Sequence, residues 1–179
     1  MKLHILPALL LLAVTAFLAS PKAEAQYYIG GTFGSNFDEN FGGSAIFGLD
    51  DPNMPLRLEA EFVYRFEDKD AVFVDFAGVQ SGEIHMMGPF GNIFFDLENR
   101  TPVTPYIGGG IGYVRIDQAS RSDYVVAYQF MAGASIHLGD NLDIFGGYRY
   151  YETRKPSLSN ILSGRIKKDI AEAGIRLRF

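Results

Sequence analysis

The most constraining feature of this chain is the strict alternation of residues 56–66. Leu56, Leu58, Ala60, Phe62, Tyr64 and Phe66 take one set of alternate positions, and Arg57, Glu59, Glu61, Val63 and Arg65 take the other. Successive side chains of a β-strand point to opposite faces, so the segment is a strand with one oily and one heavily charged face. In a soluble sandwich or lipocalin-like barrel the oily face would be the core. In a membrane barrel the assignment inverts, with apolar residues toward lipid and charges in the interior.

The pattern recurs. Ala171, Ala173, Ile175, Leu177 and Phe179 alternate with Glu172, Gly174, Arg176 and Arg178. Leu142, Ile144, Gly146, Tyr148 and Tyr150 alternate with Asp143, Phe145, Gly147, Arg149 and Tyr151. Even positions from Tyr124 to Leu138 form an apolar face, opposed by Gln129, Met131, Gly133, Ser135 and His137. Fainter strands are expected near 26–35, 41–49, 83–97 and 106–117. Pro89 and Gly91 predict a bulge in the 83–97 strand. In the glycine-rich 106–117 strand, Arg115 and Asp117 point to odd positions facing inward. The reading is therefore all-β: an eight-stranded antiparallel transmembrane barrel of up-and-down topology. Turn chemistry marks 50–55, 98–102 and 139–141. More variable linkers fall near 36–40, 67–82, 118–123 and 154–166. With both termini periplasmic, the first set forms inner turns and the second outer loops.

The first 25 residues read as a signal peptide: Lys2, an apolar run from Ile5 to Leu18, then the small-x-small Ala23-Glu24-Ala25. Cleavage before Gln26 leaves one domain, 26–179. No Cys is present, so no lipid-anchored cysteine and no disulfide is expected. The formal net charge of −5 becomes one unit more negative on cleavage, which argues against nucleic acid as a partner.

Aromatic residues recur near the strand ends (Tyr27, Tyr28, Phe66, Tyr106, Tyr124, Tyr150, Tyr151, Phe179), as the girdles of a membrane barrel would. The sequence ends on an aromatic residue in mid-pattern, and the signal peptide supplies a route. These three features favour lipid over water. An eight-stranded barrel has room inside only for side chains. Arg57, Glu59, Glu61, Arg65, Asp96, Arg115, Asp143, Arg149, Arg176 and Arg178 should thus form a packed, mutually paired lumen network. Neighbouring-strand pairs are expected between Asp143 and Arg176 or Arg178, and between Arg57 and Asp96.

Specific motifs add a family resemblance. Thr104-Pro105-Tyr106-Ile107-Gly108-Gly109-Gly110-Ile111-Gly112-Tyr113, the preceding Asn92-Ile93-Phe94-Phe95-Asp96-Leu97, Gly146-Gly147-Tyr148-Arg149-Tyr150 and the terminal Gly174-Ile175-Arg176-Leu177-Arg178-Phe179 carry it. Together they resemble segments of the OmpA-like transmembrane-barrel superfamily, in particular porin-like surface antigens of proteobacteria. The resemblance covers essentially the whole mature chain. It implies an outer-membrane location and recognition by the barrel assembly machinery through Gly174, Leu177 and Phe179. It leaves the biological role open, because the superfamily holds adhesins, complement-resistance factors, channels and membrane-stabilising proteins. The peptidoglycan-binding domain of full-length OmpA has no counterpart here.

Other chemistry is weak. His137 shares a face with Ser135 but has no acidic orienter assigned to it, so it reads as a lumen or interfacial histidine. The glycines at 108–112 open no helix and are not a phosphate loop; they relieve crowding. No cofactor or metal is expected. Arg154, Lys155, Arg165, Lys167 and Lys168 cluster around the fourth outer loop, a candidate basic rim for lipopolysaccharide phosphates. The expected function is a non-enzymatic outer-membrane protein serving envelope integrity or surface interaction through its loops. A narrow diffusion channel is the alternative, and a lipid-modifying enzyme comes third.

Overall fold

The computed structural model describes residues 26–36, 41–51, 54–67, 73–75, 78–80, 84–97, 99–118, 121–154 and 166–179. The signal-peptide reading, Lys155 and Arg165 lie outside them. Among the described residues there are ten strands: β1 (Gln26–Asn36), β2 (Phe41–Asp50), β3 (Leu56–Glu67), β4 (Phe73–Asp75), β5 (Gly78–Gln80), β6 (Ile84–Asp96), β7 (Val103–Gln118), β8 (Arg121–Leu138), β9 (Leu142–Thr153) and β10 (Lys167–Arg178). Eight of them close a barrel in the order β1-β10-β9-β8-β7-β6-β3-β2, and β4 pairs with β5 as a separate two-stranded sheet. All pairings are antiparallel. This is the expected eight-stranded up-and-down barrel. The β4–β5 hairpin, inserted in the 67–82 linker, goes beyond that expectation, because three-residue strands are too short to show a period.

Three local expectations are corrected. In β7 the even positions face inward: Thr104, Tyr106, Val114 and Ile116 are buried. Arg115 therefore lies on the outer face, where it pairs with Asp117 at 2.8 Å. Glycines at alternate positions carry no facing signal, and two charges that pair with each other need no lumen partner. The bulge in β6 is absent, since the register with β3 and β7 does not slip across Pro89 and Gly91. Pro89 faces out, and the β6–β7 ladder merely lapses at residues 88 and 89. A Pro without an N–H costs a ladder bond but does not require an extra residue. Finally, Tyr28, Tyr106 and Tyr151 are lumen residues, not girdle residues. Strand parity, not proximity to a strand end, decides their side. The side chain of Phe66 lies outside the described residues.

One end of the barrel carries the turns 51–55, 97–102 and 139–141 together with Gln26 and Phe179; the other carries the connections after β1, β3, β7 and β9, of which those after β3 and β9 are long and the other two short. Within the lumen, apolar side chains form two layers. Tyr28, Ile46, Phe94, Tyr106, Met131 and Phe145 cluster toward the turn end. Val63, Met86, Phe90, Val114, Ile116, Val125, Ala127, Tyr151 and Ile170 cluster toward the loop end. The inward glycines of β7 make room for these layers. A Cβ at Gly112 would lie 2.6 Å from the Phe90 ring, and one at Gly108 or Gly110 would strike Phe94 or Asn92.

Gly48 shows the same economy. It pairs with Tyr28 across β1 and β2, and a Cβ there would collide with the phenol end of Tyr28. Gly48→Ala should therefore overpack the turn-end layer and destabilise the barrel by about 1–3 kcal/mol. Gly146→Ala, whose Cβ would sit an ordinary 3.5 Å from the Glu172 carbonyl, should be near neutral. Urea titration of the detergent-refolded protein, read by gel mobility of unboiled samples, measures both.

Candidate functional site

The polar lumen is built from residues that strand parity turns inward on neighbouring strands. Near the turn end, Arg57 donates from Nε to Asp96 Oδ2 (2.9 Å) and from Nη2 to Asp96 Oδ1 (3.1 Å). Such a two-point pair fixes orientation as well as charge. Its Nη1 donates to Glu59 Oε2 (3.2 Å) and to the Tyr28 hydroxyl (3.1 Å), and that hydroxyl donates to Glu59 at 2.9 Å. The Arg57 guanidinium also lies 4.2 Å from the centre of the Phe94 ring.

Midway along the lumen, Arg149 donates from Nη1 to both Glu61 oxygens and to Gln129 Oε1, and from Nε to Glu172 Oε2, each at 2.8 Å. Asn92 and Gln129 each donate to Glu61 Oε2 at 2.9 Å, and Gln129 donates to Asn92 Oδ1 at 2.7 Å. One cluster thus ties β3, β6, β8, β9 and β10. All five residues are buried. Burying these charges costs several kcal/mol each, and their attraction offsets the cost only because the remaining lone pairs and protons are also bonded.

At the turn end, Arg178 lies 2.8 Å from Asp143 Oδ2 on β9 and 3.5 Å from Asp50 on β2, so it reaches both sides of the β10–β1 seam. The other oxygen of Asp143 bonds His137 Nδ1 at 2.7 Å, and His137 Nε2 lies 3.2 Å from Thr104 Oγ1. Asp143 is therefore the acidic orienter that the sequence did not assign; the two residues are direct partners across β8 and β9. Arg176 takes a different place from the Asp143 pair considered for it. It stacks 4.0 Å from the Phe145 ring, and its Nε has no hydrogen-bond partner among the described residues. Arg65 is half-buried above Glu61 on β3, with its Nε likewise unpartnered among them.

Sequence reasoning missed Tyr28, Asp50, Asn92, Gln129 and Glu172 as members. Glu172 was legible from its inward parity beside Arg149. The neutral amides and Tyr28 were not, because uncharged polar groups on an alternating strand do not announce partners. Among the described residues, no cluster of His, Cys, Asp or Glu could hold a metal ion.

The outer wall is the complement of this interior. Phe33, Phe47, Phe62, Ile107, Phe130, Ile144, Ile175 and Leu177 are all exposed. So continuous an apolar surface does not suit water. Aromatic stacks border it. Phe179 stacks on Tyr27 (6.4 Å) and Tyr27 on Phe47 (6.1 Å) at the turn end. Phe33 stacks on Phe41 (5.8 Å) and Tyr113 on Tyr124 (5.6 Å) toward the loop end. Of the three residues expected to form an assembly signal, Leu177 and Phe179 face outward, and Gly174 lies inside against the Phe145 ring. Of the basic rim, Arg154 and Lys167 are exposed and Lys168 is half-buried, the last two in β10 rather than in a loop.

An apolar, aromatic-bordered wall around a charged and paired interior defines an integral outer-membrane β-barrel protein. The chain belongs to the family described as outer membrane protein beta-barrel domain, which matches residues 8–179. It is 28% identical over 143 residues to outer membrane protein PagN of Salmonella typhimurium, covering 66% of this chain and 60% of PagN. The chain thus spans less than two thirds of that relative. Its fold resembles Neisserial surface protein A (TM-score 0.64, 17% identity, 87% of this chain and 96% of that one). It also resembles a major outer membrane protein of Thermus thermophilus (TM-score 0.61, 12% identity, 87% and 100%).

Arg149→Met strands Glu61 and Glu172 and should cost about 3–5 kcal/mol. Adding Glu61→Gln and Glu172→Gln should recover a large part of that loss, as measured by urea unfolding of the unsubstituted protein and the two variants. Deleting Phe179 removes one exposed ring and should leave the refolded protein's unfolding midpoint nearly unchanged. In cells the same deletion should sharply lower the outer-membrane fraction, as read by fractionation and immunoblot.

Proposed function

We propose that this protein is a non-enzymatic surface barrel that holds its loop end outside the cell and contacts external partners there, with the turn end and both mature termini in the periplasm. The observation that carries this reading is the filled lumen. The Arg149–Glu61–Glu172 cluster spans its middle, and the apolar layer around Ile116, Val125, Tyr151 and Ile170 occupies its loop end. An interior so packed leaves the loops as the part that meets the outside.

The loop end is electrically two-sided. The connection between β3 and β6 carries Glu67, Asp68, Asp70, Asp75 and Glu83 against Lys69. The connection between β9 and β10 carries Arg154, Lys155, Arg165, Lys167 and Lys168 with no acidic residue from 154 to 168. In the ring order the strand pairs that these connections join, β3 with β6 and β9 with β10, lie on opposite sides of the barrel. A basic arc suits phosphates of lipopolysaccharide or an acidic partner, and an acidic arc suits a cationic one. The name of Neisserial surface protein A, the structural relative above, fits a surface role. Recognition of the C-terminal strand by the barrel assembly machinery belongs to the same proposal.

The rival reading is a narrow diffusion channel. Planar-bilayer recording of the purified protein should show no steady conductance. Cells displaying it should lose adherence to a charged surface when the 154–168 lysines and arginines are changed to glutamine. Steady single-channel steps would overturn the filled-lumen reading.

A further inference from the structure

We infer that β1 and β10 are the strand pair at which this barrel parts first, and that Arg178 and Asp50 form the clasp that holds them shut. The inward polar side chains link strand to strand around the ring. Thr32 of β1 bonds Ser44 of β2 at 2.7 Å, and the Tyr28 hydroxyl donates to Glu59 of β3. Glu61 of β3 accepts from Asn92 of β6, and Asn92 accepts in turn from Gln129 of β8, passing over β7. Gln129 accepts from Arg149 of β9, which also donates to Glu172 of β10. From β10 the chain returns to the first strands through Arg178. Its Nη2 lies 2.8 Å from Asp143 of β9 and 3.5 Å from Asp50 of β2, so one guanidinium joins three strands and skips β1.

Along the seam itself the inward side chains bond away from it. Gly30, Thr32 and Gly34 of β1 stand opposite Arg176, Gly174 and Glu172 of β10. Thr32 is bonded to β2, Glu172 is bonded to β9, and Arg176 lies over the Phe145 ring of β9. The backbones leave no room for more: a Cβ on Gly30 would strike the Ile175 carbonyl. What else crosses is weaker. The Arg176 guanidinium is 5.8 Å from the centre of the Tyr28 ring, and Ile170 packs beside Gly34. On the outer wall Phe33 is paired with Ala173, and Tyr27 stacks on Phe179. Lipid chains are as apolar as these side chains and can replace such contacts. Ser35 and Lys168, nearer the loop end, have partners of their own. The β6–β7 pair is the rival, because its ladder lapses at residues 88 and 89. It is braced from inside, however. The Gln129–Asn92 bond spans it, and Met86 and Phe90 of β6 share an apolar cluster with Val114 and Ile116 of β7.

Amide hydrogen exchange of the refolded protein in phospholipid nanodiscs, resolved by residue with NMR, tests this. The amides paired between β1 and β10 should exchange faster than those paired between β8 and β9. Asp50→Asn should speed the seam amides about threefold, the size expected of a partly exposed ion pair, and leave the β8–β9 amides unchanged. Asp143→Asn removes the other partner of the same arginine, on the near side of the seam, and should leave seam exchange unchanged. The chain contains no Cys, so Phe33→Cys with Ala173→Cys places one disulfide across the seam. Oxidised, it should abolish the effect of Asp50→Asn; reduced, it should not. If the double-cysteine variant does not fold, the comparison of Asp50→Asn with Asp143→Asn decides alone. Equal acceleration around the whole ring, no acceleration at the seam, or fastest exchange between β6 and β7 overturns the proposal.

Discussion

The pairing of Arg149 with Glu61 and Glu172 is the interaction on which the interior depends. An eight-stranded barrel is too narrow to keep water around charges placed inside it, so each charge must find its counter-charge in the protein. That requirement fixes more than energy. The cluster draws on five strands, and a one-residue slip of any of them would carry its polar group from the lumen into lipid. The same arithmetic protects Arg57 with Asp96 and Arg178 with Asp143. Register is therefore specified from inside the barrel, while the outer wall, uniform and apolar, tolerates exchange of one oily residue for another.

A chain of this kind answers to two solvents in turn. Its mean hydropathy is near zero, +0.04, because oily and charged residues alternate. The same alternation that separates lipid from lumen after folding dilutes hydrophobicity before it. The chain can face lipid over its whole wall without any long apolar run in its strands.

Much of this was legible in the sequence because alternation is a strong signal where both faces carry character. Strands β3, β8, β9 and β10 read correctly side by side, and so did the eight-strand count. The signal failed where one face was glycine. In β7, Gly108, Gly110 and Gly112 are inward, yet they give no hint of it; their reason is the bulk of Phe90, Asn92 and Phe94 on the neighbouring strand. A single strand's sequence cannot display a constraint imposed by its neighbour. His137 teaches the same lesson from the other side, since its partner Asp143 was in view on the next strand, but only the register joins them. The tyrosines of the lumen were misplaced because a tyrosine suits both an interface and a polar core.

The small sheet of β4 and β5 pairs with itself and with no barrel strand. The charged residues that set the barrel's register are on other strands, inside the barrel. Substitutions in the hairpin therefore leave the register untouched. A segment uncoupled in this way can change in sequence while the barrel keeps a single solution. The frame is held by its own electrostatics, and the segment between β3 and β6 is spared from holding it.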